Sequence, residues 1–448
     1  MSRTQYTSGM PVPQDISTLT PADWYKRFVY VVSDDCFFDT ETQQEYSRQA
    51  FNAIYRGVPC FSIHNKQRRI EAATSFDENR AALGSRVLAG ITFAPGESAL
   101  VGKSDGTVWA NRWRNARPQG KTGNPIRWLQ HVERMLPDAA ERNHILNVLA
   151  FKVQHPNRKI NHAILHCGLP GSGKDTLYAP FFYAVGGLSL NNVLTVRAED
   201  VIGQWGYALE SEVLVLNELR QARTQDRRAL ENQLKPLIAA PPEFLMVNRK
   251  GLHPYPALNR IFVVAFSNDR MPIALSTEDR RWFVVWSTAS RMDDDEGLSM
   301  WDWYLNGGGY DAVTGYLHAR DVTQFNPGAV APMTEAKRSL LDLSLTSAES
   351  YLVNMVKNRE GPFAKGVVAS PWQDIVAACG GMSAKASREL KDTLLQTLQS
   401  CGWVDMGRCT SRQHAAPRAI WCTPDMAERS PSELRNLVEG GPAVTVVK

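Results

Sequence analysis

Three short stretches carry residues suited to act together on a chain of phosphates. Residues 168–176 read G-L-P-G-S-G-K-D-T, with Gly168, Gly173 and Lys174 at the spacing of a phosphate-binding loop. Glycines there let backbone N–H groups wrap around phosphate oxygens, and Lys174 adds a point charge. A helix following the loop aims its positive N-terminus at the same place. Such loops ordinarily end Gly-Lys-Ser or Gly-Lys-Thr, because that hydroxyl holds Mg²⁺. Here Asp175 stands in the hydroxyl position and Thr176 comes one place late. The nucleotide-binding candidates are therefore Gly168, Gly171, Ser172, Gly173, Lys174, Asp175 and Thr176, with Mg²⁺ falling to Thr176 or Asp175.

The second stretch, VLVLNEL, is an apolar strand ending in Asn217-Glu218. Glu218 is suited to polarise an attacking water, while Asn217 meets metal-bound water only as a neutral dipole. The third, VVAFSND, places Asn268 at the end of another buried strand, within reach of a γ-phosphate if the two strands are neighbours. Arg280 and Arg281 follow, just before WFVVW. An arginine supplied to a neighbouring subunit stabilises transition-state charge, and the spacing does not choose between the two. Each stretch has a plainer reading: a glycine-rich turn, a polar strand end, Ser-Asn-Asp turn chemistry, and arginines paired with Glu278 and Asp279. The ordered set is what favours chemistry.

The elements that must position these residues follow from hydrophobic patterning. Residues 160–290 alternate strands and helices, the mark of an α/β unit with a largely parallel sheet. INHAILHCG, EVLVLNEL, RIFVVAFSND and RRWFVVW read as strands. KDTLYAPFFYAVGG and RRALENQLKPLIA read as helices. EFLMVNRKGLHPYPALN reads as a hairpin with its tip near Asn248–Gly251. Upstream, RFVYVVS is a strand leading to a turn at Ser33-Asp34-Asp35. NARPQGKTGNP is a basic loop full of breakers, and two helices follow, the second capped by Asp138 and ended by Pro156. Asp34, Asp35 and Asp39 cluster, but read as turn residues rather than as a polymerase carboxylate pair. DDDE at 293–296 and GGG at 307–309 read as loops around a WDWYLN helix. Two amphipathic helices and two strands then suggest a winged-helix-like module.

The expected domains are a flexible N-terminus (1–20), a mixed α+β domain (21–120), a helical linker region (121–157), an ATPase core (158–325), a C-terminal helical and winged-helix-like domain (326–425), and a flexible tail (426–448). The 448 residues hold 43% apolar and 21% charged residues, an ordinary globular balance. The net charge of +4 permits a nucleic-acid partner without demanding one. Seven cysteines without a C-x-x-C pair fit free thiols in a reducing cytosol. No signal peptide or membrane span is expected.

Phosphate loop, Asn-Glu strand, hairpin, Ser-Asn-Asp strand and Asp-Arg-Arg, in this order, resemble superfamily 3 helicases. The closest likeness is to the viral primase–helicase branch of poxviruses, satellite phages and prophages, over about residues 120–340. The resemblance implies an AAA+-like P-loop ATPase core, ATP and Mg²⁺ as cofactors, and a ring, usually a hexamer, drawing single-stranded DNA through its centre in the 3′→5′ direction. It implies a cytoplasmic setting in a bacterial host of a phage or prophage; with no polymerase carboxylate pattern in the first 120 residues, any primase or polymerase activity is expected from a separate chain. By the same likeness Lys174, Glu218, Asn268 and either Arg280 or Arg281 are catalytic. The segment from Lys235 to His253 matches the family's additional motif, whose hairpin lines the pore; Lys235, Arg249, Lys250 and His253 would grip DNA phosphates there. Asp175 and Asn217 depart from the pattern and leave metal binding open. Adenylate kinases carry a similar loop with a late hydroxyl, so a small-molecule kinase is one alternative; a non-helicase AAA+ initiator, packaging or defence ATPase is another. For the C-terminal module, Lys385, Arg388, Lys391, Arg408, Arg412 and Arg418 would serve DNA, whereas the same module also serves protein contacts.

Overall fold

The computed structural model of the chain describes residues 15–187, 192–197, 209–217, 219, 224–248, 254–276, 278–344, 347–369, 391, 394–411 and 417–439. It divides into two compact units: residues up to 273 together with 279–338, and residues 274–278 together with 339 onward.

The first unit is built on a five-stranded sheet whose members are β1 (Ala163–Gly168), β2 (Val193–Val196), β3 (Val213–Leu216), β4 (Phe262–Ser267) and β5 (Trp282–Ser287). Their order is β5-β1-β4-β3-β2, and every neighbouring pair is parallel. β1, β3 and β4 are buried at every position. Helices on both faces of a parallel sheet leave its inner strands no solvent side, which is why these strands are unbroken apolar runs. β2 is the strand that patterning missed: an edge strand, buried only at Val193.

Helices α1 (Ile126–Met135), α2 (Ala139–Gln154), α3 (Lys174–Ala184), α4 (Thr224–Ile238), α5 (Asp294–Leu305) and α6 (Gly309–Ala319) belong to the same unit. The helices of the segment 121–157, read as a helical linker region, pack into this unit's core. Trp128 and Val132 of α1 and Ile145 and Leu149 of α2 share one core cluster with Ile164, Phe181 and Val264. Asp138 caps α2 by accepting from Glu141 N at 2.8 Å, as the sequence indicated. The acidic run was misread as a loop. Asp293 caps α5, and Asp294, Asp295 and Glu296 fill its first turn, where negative charge meets the positive end of the helix dipole. Gly308, at φ 74°, likewise caps α6. The basic loop at 115–125 is packed: a Cβ on Gly120 would lie 2.6 Å from Gly315 N, so this glycine permits close approach to α6.

Residues 15–120 form two small sheets: the first packs on an aromatic cluster of Trp24, Phe28, Phe37, Phe51, Tyr55 and Phe76, and the second meets the first through Val29, Val31, Leu88, Ile91 and Ala110. Trp24 lies in a short helix, Pro21–Arg27, before the predicted strand. Within the expected flexible N-terminus, Ile16–Thr18 forms a 3₁₀ turn and Leu19 is buried. Asp39 is buried beneath Arg27, which donates Nη2 at 2.8 Å; it also accepts from Thr42 Oγ1. Its carboxylate is thereby a structural counter-ion. This region packs against the predicted hairpin, whose strands Phe244–Val247 and Tyr255–Leu258 pair antiparallel. Leu258 N donates to Phe93 O at 3.1 Å, and Arg112 bonds Glu45, Glu210 and the Tyr255 hydroxyl.

In the second unit, Val404–Cys409 and Arg418–Cys422 form an antiparallel pair that Val367–Val368 extends. Residues 370–390, with Lys385 and Arg388 of the winged-helix reading, lie outside the described residues, as does Arg412. The expected flexible tail contains a helix, Pro431–Glu439, whose Leu434 is buried beside Ile420 and Cys422. Among the described residues no helix is long and apolar enough to cross a membrane.

Candidate functional site

Ligands of open parallel sheets gather at the carboxyl ends of the strands, and the residues singled out above gather there too. Gly168 ends β1, Asn217 follows β3 and Asn268 follows β4. β1 and β4 are direct neighbours. The Lys174 ammonium, at the start of α3, donates to Asn268 Oδ1 at 3.0 Å and to the Gly168 and Leu169 carbonyls at 2.9 Å each. A cleft of about 990 Å³ opens over the loop, with Lys174, Asp175, Thr176, Asn217 and Asn268 in its lining.

The loop conformation depends on its glycines. Gly171 and Gly173 have φ of 72° and 102°, in the left-handed region that glycine adopts freely. A Cβ on Gly173 would lie 2.6 Å from His131 Cε1. The backbone N–H groups of the first α3 turn have no intrahelical acceptor. The Ser172 hydroxyl is buried and makes no hydrogen bond among the described residues, so the cradle holds a polar atom awaiting a partner. These features fit a polyphosphate.

Burial depresses the Lys174 ammonium below the usual lysine value, against the pull of the Asp175 charge. The Asp175 side chain reaches solvent at the cleft mouth, yet the protein packed around it raises its carboxyl above the ordinary range, with Lys174 opposing. Thr176, one position on, is buried. Among the described residues no three His, Cys, Asp or Glu side chains converge as a metal cage.

Several residues outside the motifs complete the cradle. His131 Nε2 donates to Gly173 O at 2.9 Å, and Arg134 Nη2 donates to Ser172 O at 2.9 Å, bracing the loop from α1. Burial lowers the His131 pKa, consistent with a neutral donor. Met292 N donates to Gly171 O at 2.9 Å, tying the segment after β5 to the loop. Arg291 and Trp301 also line the cleft.

Arg280 and Arg281 are elsewhere. Arg281 O accepts from Ala163 N at 2.8 Å, at the entry end of β1. That is about 17 Å of strand from Gly168. Neither arginine reaches this chain's own loop from there. Arg280 is exposed, whereas Arg281 is half-buried and its Nε makes no hydrogen bond among the described residues. The plainer reading pairs these arginines with Glu278 and Asp279; among the described residues Asp279 is instead buried against Lys337 at 3.0 Å. Lys235 sits on α4, within the stretch read as a helix, and pairs there with Glu231 at 2.7 Å. Glu218, Arg249, Lys250 and His253 lie outside the described residues.

The fold and cleft define an α/β protein with a glycine-rich cradle at the carboxyl edge of a parallel sheet. A family model described as a family of unknown function (DUF5906) matches residues 166–281, the span from the cradle strand to Arg281. A search of curated proteins finds no match. The apo structure of the NrS-1 C-terminal region (305–718) is 15% identical, with a TM-score of 0.59, covering 92% of this chain and 100% of that one. A second apo form of that region is 14% identical, with a TM-score of 0.58, covering 90% and 100%. The chain shares that fold. A JCV helicase with a bound acetamide compound is 15% identical over 52% of this chain and 64% of that one, with a TM-score of 0.30, too low to carry an argument.

Proposed function

We propose that the chain is an ATP-driven DNA helicase of the superfamily 3 type, serving replication of a phage or other mobile element. The supporting observation is the Lys174–Asn268 hydrogen bond at 3.0 Å. It joins a phosphate-loop lysine to a polar residue on the adjacent strand, the pairing that a γ-phosphate sensor requires. The P-loop N–H groups and Lys174 hold the phosphates, with Lys174 released from the Gly168 and Leu169 carbonyls on binding. Asp175 opens to the cleft at the helix position ordinarily given to the hydroxyl, so it is the better-placed of the two metal candidates. Mg²⁺, when bound, neutralises charge on the transferred phosphoryl oxygens. Asn268 orients the terminal phosphate, and Glu218 polarises the attacking water.

Arg280 and Arg281 lie at the far end of the sheet from the cradle, which supports hydrolysis between subunits of a ring. Each subunit would present one of them, Arg280 being the exposed one, to its neighbour's cleft. The hairpin would then face single-stranded DNA, with 3′→5′ movement. The test is ATP turnover by the full chain with and without single-stranded DNA, and with small-molecule acceptors. DNA-stimulated hydrolysis without phosphoryl transfer to an acceptor supports the motor. Transfer to an acceptor, indifferent to DNA, would make the protein a kinase.

A further inference from the structure

We propose that the base of the bound nucleotide lies on α5, across Gly297 and against Leu298 and Trp301. This inference rests on the nucleotide reading above and assigns the other end of the same ligand. The cleft continues past the phosphate loop along α5, where Asp294, Gly297, Leu298 and Trp301 line it. Their spacing of i, i+3, i+4 and i+7 is a single helix face. α5 is fixed beside the loop at both ends. Met292 N donates to Gly171 O at 2.9 Å, and the Tyr304 hydroxyl donates to Thr176 O at 2.9 Å.

Charge sets the ligand's direction. Lys174 and the N-terminus of α3 take the phosphates. Asp294 is paired with Arg291 at 3.1 Å, while Asp293, the cap of α5, borders the cleft as well and would repel a phosphate laid toward it. The face beyond them fits the uncharged end. Leu298 is 70% exposed, leaving apolar surface open there. Gly297 has no side chain and offers a flat floor. The Trp301 ring is held against Tyr304, centroids 5.7 Å apart at 79°, so it is a fixed wall. From Asp294 to Trp301 the helix rises about 10 Å, room for a sugar before the base. Recognition by ring face and apolar burial does not read base edges.

The test is titration calorimetry of the full chain with ATP and with inorganic tripolyphosphate, each with Mg²⁺. It compares the wild type with Trp301→Ala, Trp301→Phe and Leu298→Ser; the exposed Leu298 makes the last variant independent of folding. Trp301→Ala and Leu298→Ser are expected to weaken ATP about tenfold, with tripolyphosphate unchanged and Trp301→Phe restoring most of the ATP affinity. Unchanged ATP affinity in both variants, or equal weakening of both ligands, overturns the α5 assignment. Loss of the nucleotide reading itself would look different: no tripolyphosphate binding by the wild type, and ATP affinity insensitive to Lys174→Ala.

Discussion

Lys174 and Asn268 stand 94 residues apart in the chain and 3.0 Å apart in the fold. The parallel pairing of β1 with β4 brings them together. Asn268 shares the ammonium with two loop carbonyls, so it is positioned to follow what the lysine follows. Asn268→Ala is expected to lower ATP turnover about 100-fold, the usual loss for one preorganised polar group at developing charge. ATP affinity should stay nearly unchanged in equilibrium titration. Equal losses in turnover and affinity would instead mean ground-state binding.

The metal assignment separates two adjacent side chains. Asp175→Asn is expected to raise the Mg²⁺ concentration for half-maximal turnover about tenfold, while Thr176→Val changes it little. The raised Asp175 pKa adds a stability signature. Its contribution is fully present below the unfolded value and is lost as pH rises through the higher folded value. At neutral pH without ligand, Asp175→Asn should therefore raise Tm, and the gain should vanish in acid where both forms are neutral.

Cradle and arginine belong to different subunits in this account. Lys174→Ala and Arg280→Ala chains should each be inactive alone. Mixed in equal amounts, they should recover about a quarter of wild-type turnover, because one interface type in four pairs an intact lysine with an intact arginine. Recovery with Arg281→Ala but not with Arg280→Ala would move the finger to Arg281.

Much of this was legible in the residues, and the exceptions have physical causes. β1, β3, β4 and β5 read as strands because apolar runs betray burial on both faces. The half-exposed edge strand β2 lacks that signal. His131 and Arg134 escaped notice because they touch the loop through its backbone carbonyls, which leave no trace in side-chain spacing. Arg291 and Trp301 did leave a signal: whatever follows β5 must emerge at the same sheet edge as the loop. The acidic run was taken for a loop because charge alone does not distinguish a solvated turn from a helix N-terminus. Asp293 as cap was the missing clue.

A buried histidine pair sets an acid limit. His144 and His162 share an Nε2–Nε2 hydrogen bond at 3.0 Å beside Phe283 and Phe325. Burial lowers their pKa values to about 4 and about 3. In the unfolded chain both gain protons near 6.5. Stability from this pair is thus fully present above about pH 6.5 and falls as pH drops toward 4. Thermal melts across that range should show the decline, and a His144→Phe/His162→Phe double variant should flatten it.

The most direct test of the central claim is strand separation on a forked duplex with ATP, in the full chain and in Lys174→Ala. The account predicts ATP-dependent release of the displaced strand, requiring a 3′ single-stranded tail, with none from Lys174→Ala. ATP hydrolysis that ignores single-stranded DNA and leaves the duplex intact would contradict it.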